Sequence, residues 1–306
     1  MANYRDIKGF KIANFESDPV ENVASWSAGG NLNTARRALA GGGTQTAGLA
    51  FGGYDTNLTG KTEEYNGSSW AEDGDLNTAR AALAACGVIP AALAFGGGTT
   101  TTEAVAEEYN GSSWTETGDL SNARDQLAGA GTQTAALAFG GAGVTASTEE
   151  FGGSSWTAGG NLNTARRYLA GFGLQTAAIG AGGAEPTISA KVEQYNGSSW
   201  TEVGDLNQAR RELSGSGTTT AGIVFAGGPP AYVLTEQWNG SSWTEVADLG
   251  TARYRGAGSL PAPSTSTLAF GGTAGGNVAN TEEFSLPPPT SKFLVDGEVW
   301  YNTSAT

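Results

Sequence analysis

A unit of about 43 residues recurs six times along the chain, and this repeat constrains the fold more than any other feature. Each copy contains a tryptophan, a segment ending in Ala-Arg, an apolar run closed by a glycine pair, and an aromatic residue. The tryptophans are Trp26, Trp70, Trp114, Trp156, Trp200 and Trp243. Because so short a unit cannot bury its own apolar side, neighbouring copies are expected to stack on one another.

Within one copy the pattern indicates four short strands. A small-residue segment follows Ala-Arg, and the apolar run 47–51 then ends at Gly52-Gly53. The alternating segment 62–65 leads through Asn66-Gly67, a strong hairpin signal, into the strand of Trp70. Four-stranded antiparallel units repeated around an axis form a β-propeller. The sequence therefore predicts an all-β, six-bladed propeller with four antiparallel strands per blade.

The other copies show the same glycine pair, at 96–97, 140–141, 182–183, 227–228 and 271–272. Helical repeats of similar length need amphipathic stretches of about ten residues, and the sequence contains none.

The first and last copies are incomplete in complementary ways. The copy at Trp26 lacks the three strands that should precede it, and the copy ending at Phe284 lacks a tryptophan strand. Three prolines at 287–289 cannot donate to a sheet ladder, so the pattern ends there. The simplest completion pairs the strand of Trp26 with the strand of Phe284, so that both ends of the chain build the sixth blade and close the ring.

This reading divides the chain into three parts. The propeller is predicted over 23–284, and the flanking segments are predicted over 1–22 and 285–306. The C-terminal segment reads as a Pro-rich linker followed by a β-hairpin with an Asp-Gly turn at Asp296-Gly297. Both flanking segments are expected to act as docking segments that pair with another chain.

Two charged positions recur in every copy. A glutamate stands two residues before the aromatic residue, and an arginine ends the Ala-Arg segment. Period-two geometry places Glu63 on the same strand face as Tyr65, and a buried carboxylate without a partner is costly. We therefore predict a structural, bidentate ion pair in each blade, formed between Glu63, Glu107, Glu149, Glu193, Glu236 and Glu282 and Arg36, Arg80, Arg124, Arg166, Arg210 and Arg253. The alternative is a functional ring of these residues around the channel, binding a carboxylate or a metal.

The segment after the glycine pair differs in every copy. It connects the second and third strands, so all six segments are expected on one face of the disc. Variable loops on a rigid scaffold are frequent recognition sites. Tyr54, Asp55, Glu185 and Tyr232 are the predicted ligand or partner contacts, because aromatic and acidic side chains suit sugars and proteins. The alternative is drift in unconstrained loops.

Composition excludes several functions. The chain has no histidine and one cysteine, Cys86, which excludes a Ser-His-Asp triad, a His-ligated zinc and an intrachain disulfide. Thirty acidic against 16 basic residues give a charge of −14, which argues against nucleic acid and anionic membranes as partners. No apolar run is long enough for membrane insertion. We expect no cofactor, no metal and no enzymatic activity, with a propeller hydrolase as a minor alternative.

The order LAFGG…EEYNGSSW resembles a kelch repeat, with a shortened spacing between the aromatic residue and the tryptophan. The segments MANYRDIKGFKI and GEVWYNTS, with the repeats, resemble virion proteins of aquatic bacteriophages. That resemblance implies a tail-associated or decoration protein of the virion, structural or adhesive. Its expected partners are a host surface glycan or protein, neighbouring virion proteins, or a second copy through the terminal segments. The alternative is a bacterial extracellular or cell-surface propeller that binds protein or carbohydrate.

Overall fold

Six four-stranded antiparallel sheets surround one axis in the computed structural model, which describes residues 24–143 and 145–286. The innermost strands of successive sheets contact one another around a complete ring. The predicted six-bladed, all-β propeller is therefore confirmed. Among the described residues, no helix could span a membrane.

The strands follow the repeat. Blade 1 contains β2 (Ala40–Thr44), β3 (Ala47–Phe51), β4 (Thr62–Tyr65) and β5 (Trp70–Asp73). Blade 2 contains β6 (Ala84–Val88), β7 (Ala91–Phe95), β8 (Ala106–Tyr109) and β9 (Trp114–Glu116). Blade 3 contains β10 (Ala128–Thr132), β11 (Ala135–Phe139), β12 (Thr148–Phe151) and β13 (Trp156–Ala158).

Blade 4 contains β14 (Ala170–Leu174), β15 (Ala177–Ala181), β18 (Val192–Tyr195) and β19 (Trp200–Glu202), with a small ribbon of β16 (Ala184–Glu185) and β17 (Thr187–Ile188) in its loop. Blade 5 contains β20 (Ser214–Gly217), β21 (Gly222–Phe225), β22 (Thr235–Trp238) and β23 (Trp243–Glu245). Blade 6 contains β24 (Ala257–Gly258), β25 (Ser266–Phe270), β26 (Thr281–Ser285) and β1 (Ser25–Ala28).

The ring closes through the two ends of the propeller. Strand β1 pairs antiparallel with β26, with Trp26 opposite Phe284 and their ring centroids 5.1 Å apart. The indole N–H of Trp26 also donates to Thr235 Oγ1 of blade 5 at 3.1 Å. The predicted composite blade is confirmed, and it covers the sheet edge that an open ring would expose. The predicted docking segment 1–22, and the predicted C-terminal segment from residue 287 onward, lie outside the described residues.

Adjacent blades are held together by the repeated tryptophans. Trp114 of blade 2 packs against Phe51 of blade 1 with ring centroids 4.6 Å apart, and its indole N–H donates to Thr62 Oγ1 at 3.0 Å. Equivalent tryptophan–phenylalanine contacts join four other blade pairs. Each such pair contributes about 0.5–1.5 kcal/mol beyond the burial of apolar area. The core is thus shared between neighbouring blades, as the repeat requires.

Crowding at the axis accounts for part of the glycine content. A Cβ atom at Gly41 on the innermost strand β2 would lie 2.5 Å from both Gly258 O and Phe270 Cζ of blade 6. No side chain fits there, because the inner strands converge on the axis.

In blade 5 the glycine pair lies one residue earlier than the sequence pattern indicates. Gly227 N–H donates to Arg253 O, as Gly53 N–H donates to Arg80 O in blade 1, so the equivalent pair is Ala226-Gly227 rather than Gly227-Gly228. An alanine occupies the first position with φ of 62°.

Candidate functional site

The structure brings the predicted arginine and glutamate partners together inside every blade. The nitrogen–oxygen distances are 3.2 Å for Arg36–Glu63, 2.7 Å for Arg80–Glu107, 3.0 Å for Arg124–Glu149, 2.9 Å for Arg166–Glu193 and 2.9 Å for Arg210–Glu236, and Arg253 contacts Glu282 in the same way. All twelve residues are buried, and none of them lines the cavities at the axis. We call the six arginines the arginine set.

These pairs differ from the expected bidentate geometry. In blade 1 Arg36 reaches one oxygen of Glu63, while the second oxygen accepts the Asn33 backbone N–H at 2.6 Å. Arg36 also donates to Lys61 O at 2.7 Å. Backbone groups therefore take up part of the hydrogen-bonding capacity of both side chains. Through these bonds the pair joins the connection between blades to the third strand and its loop. Burial lowers the pKa of Arg36, and the charge of Glu63 counteracts this lowering.

Two residues after each member of the arginine set, the chain reaches the propeller axis. The residues there have positive φ, between 53° and 59°. Each donates its backbone N–H to the carbonyl of its counterpart in the preceding blade, and Ala38 closes the circle on Arg255 O at 2.7 Å. This hydrogen-bonded circle, which we call the axial ring, consists of Ala38, Ala82, Gln126, Tyr168, Glu212 and Arg255.

The axial ring surrounds a pocket of about 310 Å³. Its floor is apolar and is built from the buried side chains of Leu39, Leu83, Leu127, Leu169 and Leu213. Its wall is asymmetric. One half carries alanines at 38, 81 and 82 together with Arg37 and Tyr54, and the other half is a polar arc of Asp125, Gln126, Tyr168, Glu212 and Arg255. Six equivalent backbones therefore present two chemically different halves.

Three guanidiniums surround the ring of Tyr168. Those of Arg167, Arg211 and Arg255 lie 5.4, 5.8 and 5.6 Å from its centroid, within cation–π range. Arg255 also forms a two-pronged ion pair with Glu212, with distances of 2.9 and 3.1 Å. Burial by itself lowers the pKa of Arg255, but the hydrogen bonds and charge of Glu212 outweigh it and raise that pKa. The arrangement concentrates fixed positive charge on one side of the pocket.

Two groups at the pocket have hydrogen-bonding capacity left over. Arg211 does not itself line the pocket but lies against the ring of Tyr168, which does; its Nε has no hydrogen-bond partner among the described residues and is 4.0 Å from Glu212 Oε1. Asp125 Oδ2 accepts from Gln126 at 3.2 Å, but Asp125 Oδ1 is buried without a partner among the residues that the structure describes. Buried polar groups are normally satisfied, so an available acceptor in the pocket wall, with an available donor beside the pocket, indicates a site for a ligand.

The predicted loop residues are distributed unevenly around this pocket. Tyr54 lines it, with the Arg37 guanidinium 4.6 Å from its ring centroid. Asp55, Glu185 and Tyr232 lie on the connections of the same face but outside the pocket wall.

Their polar groups have different surroundings. The carboxylate of Asp55 accepts the Asn57 backbone N–H at 2.9 Å, and this hydrogen bond holds its pKa below the ordinary value. Glu185 belongs to the small ribbon of blade 4, and Tyr232 donates its backbone N–H to Gly227 O.

Most of the pocket was not anticipated from the sequence. The two residues after Ala-Arg read Arg-Ala, Ala-Ala, Asp-Gln, Arg-Tyr, Arg-Glu and Tyr-Arg in successive copies. They vary inside a segment of constant length, between an arginine present in all six copies and a leucine present in five, with Gly256 in the sixth. That contrast between fixed flanking residues and two variable ones is the signal in the sequence for the pocket.

The fold and the repeat define this chain as a β-propeller repeat protein with an axial pocket. No family model matches the chain, and no curated protein matches its sequence. Within the described residues, no group of three or more aspartate, glutamate or cysteine side chains is placed to hold a metal ion.

Proposed function

We propose that this propeller is a non-enzymatic binding protein whose recognition surface is the face with the axial pocket and the connections between second and third strands. One observation carries the proposal. Positions that pack within or between blades repeat from copy to copy, whereas the connections between second and third strands on this face have a different sequence in every copy. A rigid repeated scaffold with varied side chains on one face is typical of recognition proteins.

The opposite face supports this assignment by contrast. It carries the Asn-Gly turns, where Asn66 Oδ1 accepts the backbone N–H groups of Ser68 and Ser69 at 3.0 Å. The same uncharged turn recurs at Asn110, Asn196 and Asn239. A surface that presents the same turn four times offers little to distinguish one ligand from another.

We place the protein on a bacteriophage particle as a structural or adhesion protein that binds a host surface glycan or neighbouring virion proteins. The kelch-like order and the resemblance of the repeats and terminal segments to phage virion proteins support this placement. In this proposal the segments 1–22 and 285–306 attach the propeller to other virion proteins or to a second copy.

Two measurements test the proposal. Mass spectrometry of purified particles should detect the protein, and labelled full-length protein should bind host cells. Replacing Tyr54, Asp55, Glu185 and Tyr232 together by alanine should weaken cell binding by about tenfold or more. The control replaces Ser68 and Ser112 on the opposite face by alanine and should leave binding unchanged.

Three results would count against the proposal. Unchanged binding in the fourfold variant, or a loss in the serine control, would overturn the assignment of the face. Cell binding by a protein that is absent from particles would overturn the placement in favour of a bacterial surface protein.

A further inference from the structure

We infer that the axial pocket binds a hydroxylated carboxylate, namely an acidic sugar unit of a glycan. This inference rests on the proposed function and names the chemistry of the ligand. Three features of the pocket lead to it: the backbone of the axial ring, the distribution of charge, and the two groups with available hydrogen-bonding capacity.

The backbone of the axial ring favours glycine, yet the ring contains none. All six residues have positive φ, which L side chains adopt reluctantly, and 48 residues elsewhere in this chain are glycine. At the glycine pair of blade 1, by contrast, Gly52 and Gly53 take the positive φ values. Retaining Tyr168, Glu212 and Arg255 against this preference indicates that their side chains serve a purpose. Backbone strain of this kind is concentrated at ligand sites.

The charge distribution selects an anion. Outside the six ion pairs, the described residues contain six basic side chains, and four of these, Arg37, Arg167, Arg211 and Arg255, line the pocket or contact a residue that lines it. Two carboxylates, Asp125 and Glu212, face them in the pocket wall. The lining itself is balanced, with Arg37 and Arg255 against the two carboxylates. Arg167 and Arg211, which lie against Tyr168 beside the pocket, add the positive charge that attracts a negative ligand in a chain of net charge −14. The planar fork of Arg211, which lies against Tyr168 at the edge of the pocket, matches a carboxylate.

The available acceptor selects a ligand that also carries hydroxyl groups. Asp125 Oδ1 is buried without a donor from the described residues, and a sugar hydroxyl would supply one. Inorganic phosphate offers Asp125 one or two O–H donors but carries up to two negative charges against the two carboxylates, whereas a uronate carries one charge and several hydroxyl groups. The apolar leucine floor suits the C–H face of a pyranose ring. A volume of about 310 Å³ lies at the lower end for ligand pockets, which suits one sugar unit rather than a folded domain.

The chain itself supplies a variant that fills the pocket. Ala82 lies on the small half of the axial ring with φ of 53°, and Tyr168 occupies the equivalent position of blade 4 with φ of 59°. The backbone at this position therefore accepts tyrosine. Ala82→Tyr should occupy the space that the ligand needs while leaving the propeller intact.

The experiment is titration calorimetry of the full-length protein with sodium glucuronate, sodium galacturonate, glucose and inorganic phosphate. Both uronates should bind, and glucose and phosphate should bind at least about tenfold more weakly. Arg211→Met and Ala82→Tyr should each weaken uronate binding by about tenfold or more at an unchanged melting temperature. Lys61→Met, which removes a basic residue of the same face away from the pocket, should leave binding unchanged.

Equal binding of glucose and the uronates, tighter binding of phosphate, or uronate binding that survives both pocket variants would overturn the inference. The cell-binding assay separates this failure from failure of the proposed function. If uronates do not bind but cell binding still falls when only Asp55, Glu185 and Tyr232, which lie outside the pocket wall, are replaced by alanine, the inference alone is wrong. If cell binding is absent, or if the control variant of Ser68 and Ser112 on the opposite face loses it, both the inference and the proposed function are wrong.

Discussion

The arginine set and the axial ring stand two residues apart in the same connection, and they differ in almost every respect. Arg36 and its five counterparts are identical, buried and paired with a glutamate in their own blade. The axial ring has six nearly identical backbones but five kinds of side chain. Side chains are therefore the same in every copy where the fold depends on them, and they vary from copy to copy where the fold needs only the backbone.

The physical reason lies in which atoms make the contacts. Arg36 holds its connection through guanidinium hydrogen bonds to Glu63, Lys61 O and Ala50 O, so another side chain would leave buried groups unpaired. The axial ring is held by backbone N–H and C=O groups, which every residue except proline supplies. Its side chains are therefore free to serve a ligand.

The largest expected effect is a difference in the free energy of unfolding between a variant at an arginine-set ion pair and a variant in the axial ring. Glu107→Gln leaves the buried guanidinium of Arg80 without its counter-charge, and we expect a loss of about 3–5 kcal/mol in the free energy of unfolding. The matched variant Glu212→Gln acts on an ion pair whose partner, Arg255, is 36% exposed, and should cost about 1 kcal/mol. Denaturant unfolding measures both. Equal losses would contradict the distinction between the sets.

The effect of intermediate size concerns Tyr195, whose position carries tyrosine in only some of the blades. Burial and a hydrogen bond to Glu150 of the preceding blade raise the pKa of Tyr195 to about 12, from an ordinary value of 10. A raised pKa favours the protonated form in the fold, so this contribution is complete below pH 10 and is lost as pH rises towards 12. In blade 3 the equivalent residue is Phe151, which has no hydroxyl group.

We therefore expect Tyr195→Phe to fold and to lose about 0.5–1.5 kcal/mol at neutral pH. Its deficit relative to the wild type should shrink between about pH 10 and pH 12. Thermal unfolding of both proteins across this range measures the difference. A deficit that stays constant with pH would show that the hydroxyl of Tyr195 is not the group responsible.

The smallest expected effect tests whether glycine is absent from the axial ring for reasons other than stability. Ala226 has φ of 62° where the other five blades carry glycine, and Ala82 has φ of 53° where no blade does. Replacing either alanine by glycine removes strain but adds freedom to the unfolded chain, for a net gain of about 0.5 kcal/mol. Similar gains in the two melting temperatures are expected. A clear loss in Ala82→Gly alone would show that the ring avoids glycine for stability.

Much of this architecture could be predicted because it is periodic. Blade number, strand order and the joining of Trp26 to Phe284 follow from a repeat whose copies are incomplete at opposite ends. Arg36 and Glu63 could be paired because both recur once per copy. In blade 5 Ala226 replaces the first glycine of the pair, so the Gly-Gly pattern predicts the pair one residue too late in the sequence. Periodicity identifies what every blade shares, and it is weak wherever one copy departs from the others.

By itself, the sequence determined the six-bladed ring, its closure and the residues of its buried ion pairs, since each is a local pattern repeated six times. Only the tertiary structure decided the pocket. Its wall joins residues about 43 positions apart through backbone hydrogen bonds at positive φ, and Ala82, Tyr168 and Glu212 come from three different blades. No local pattern encodes which side chains meet across an axis, because that depends on how the whole ring closes.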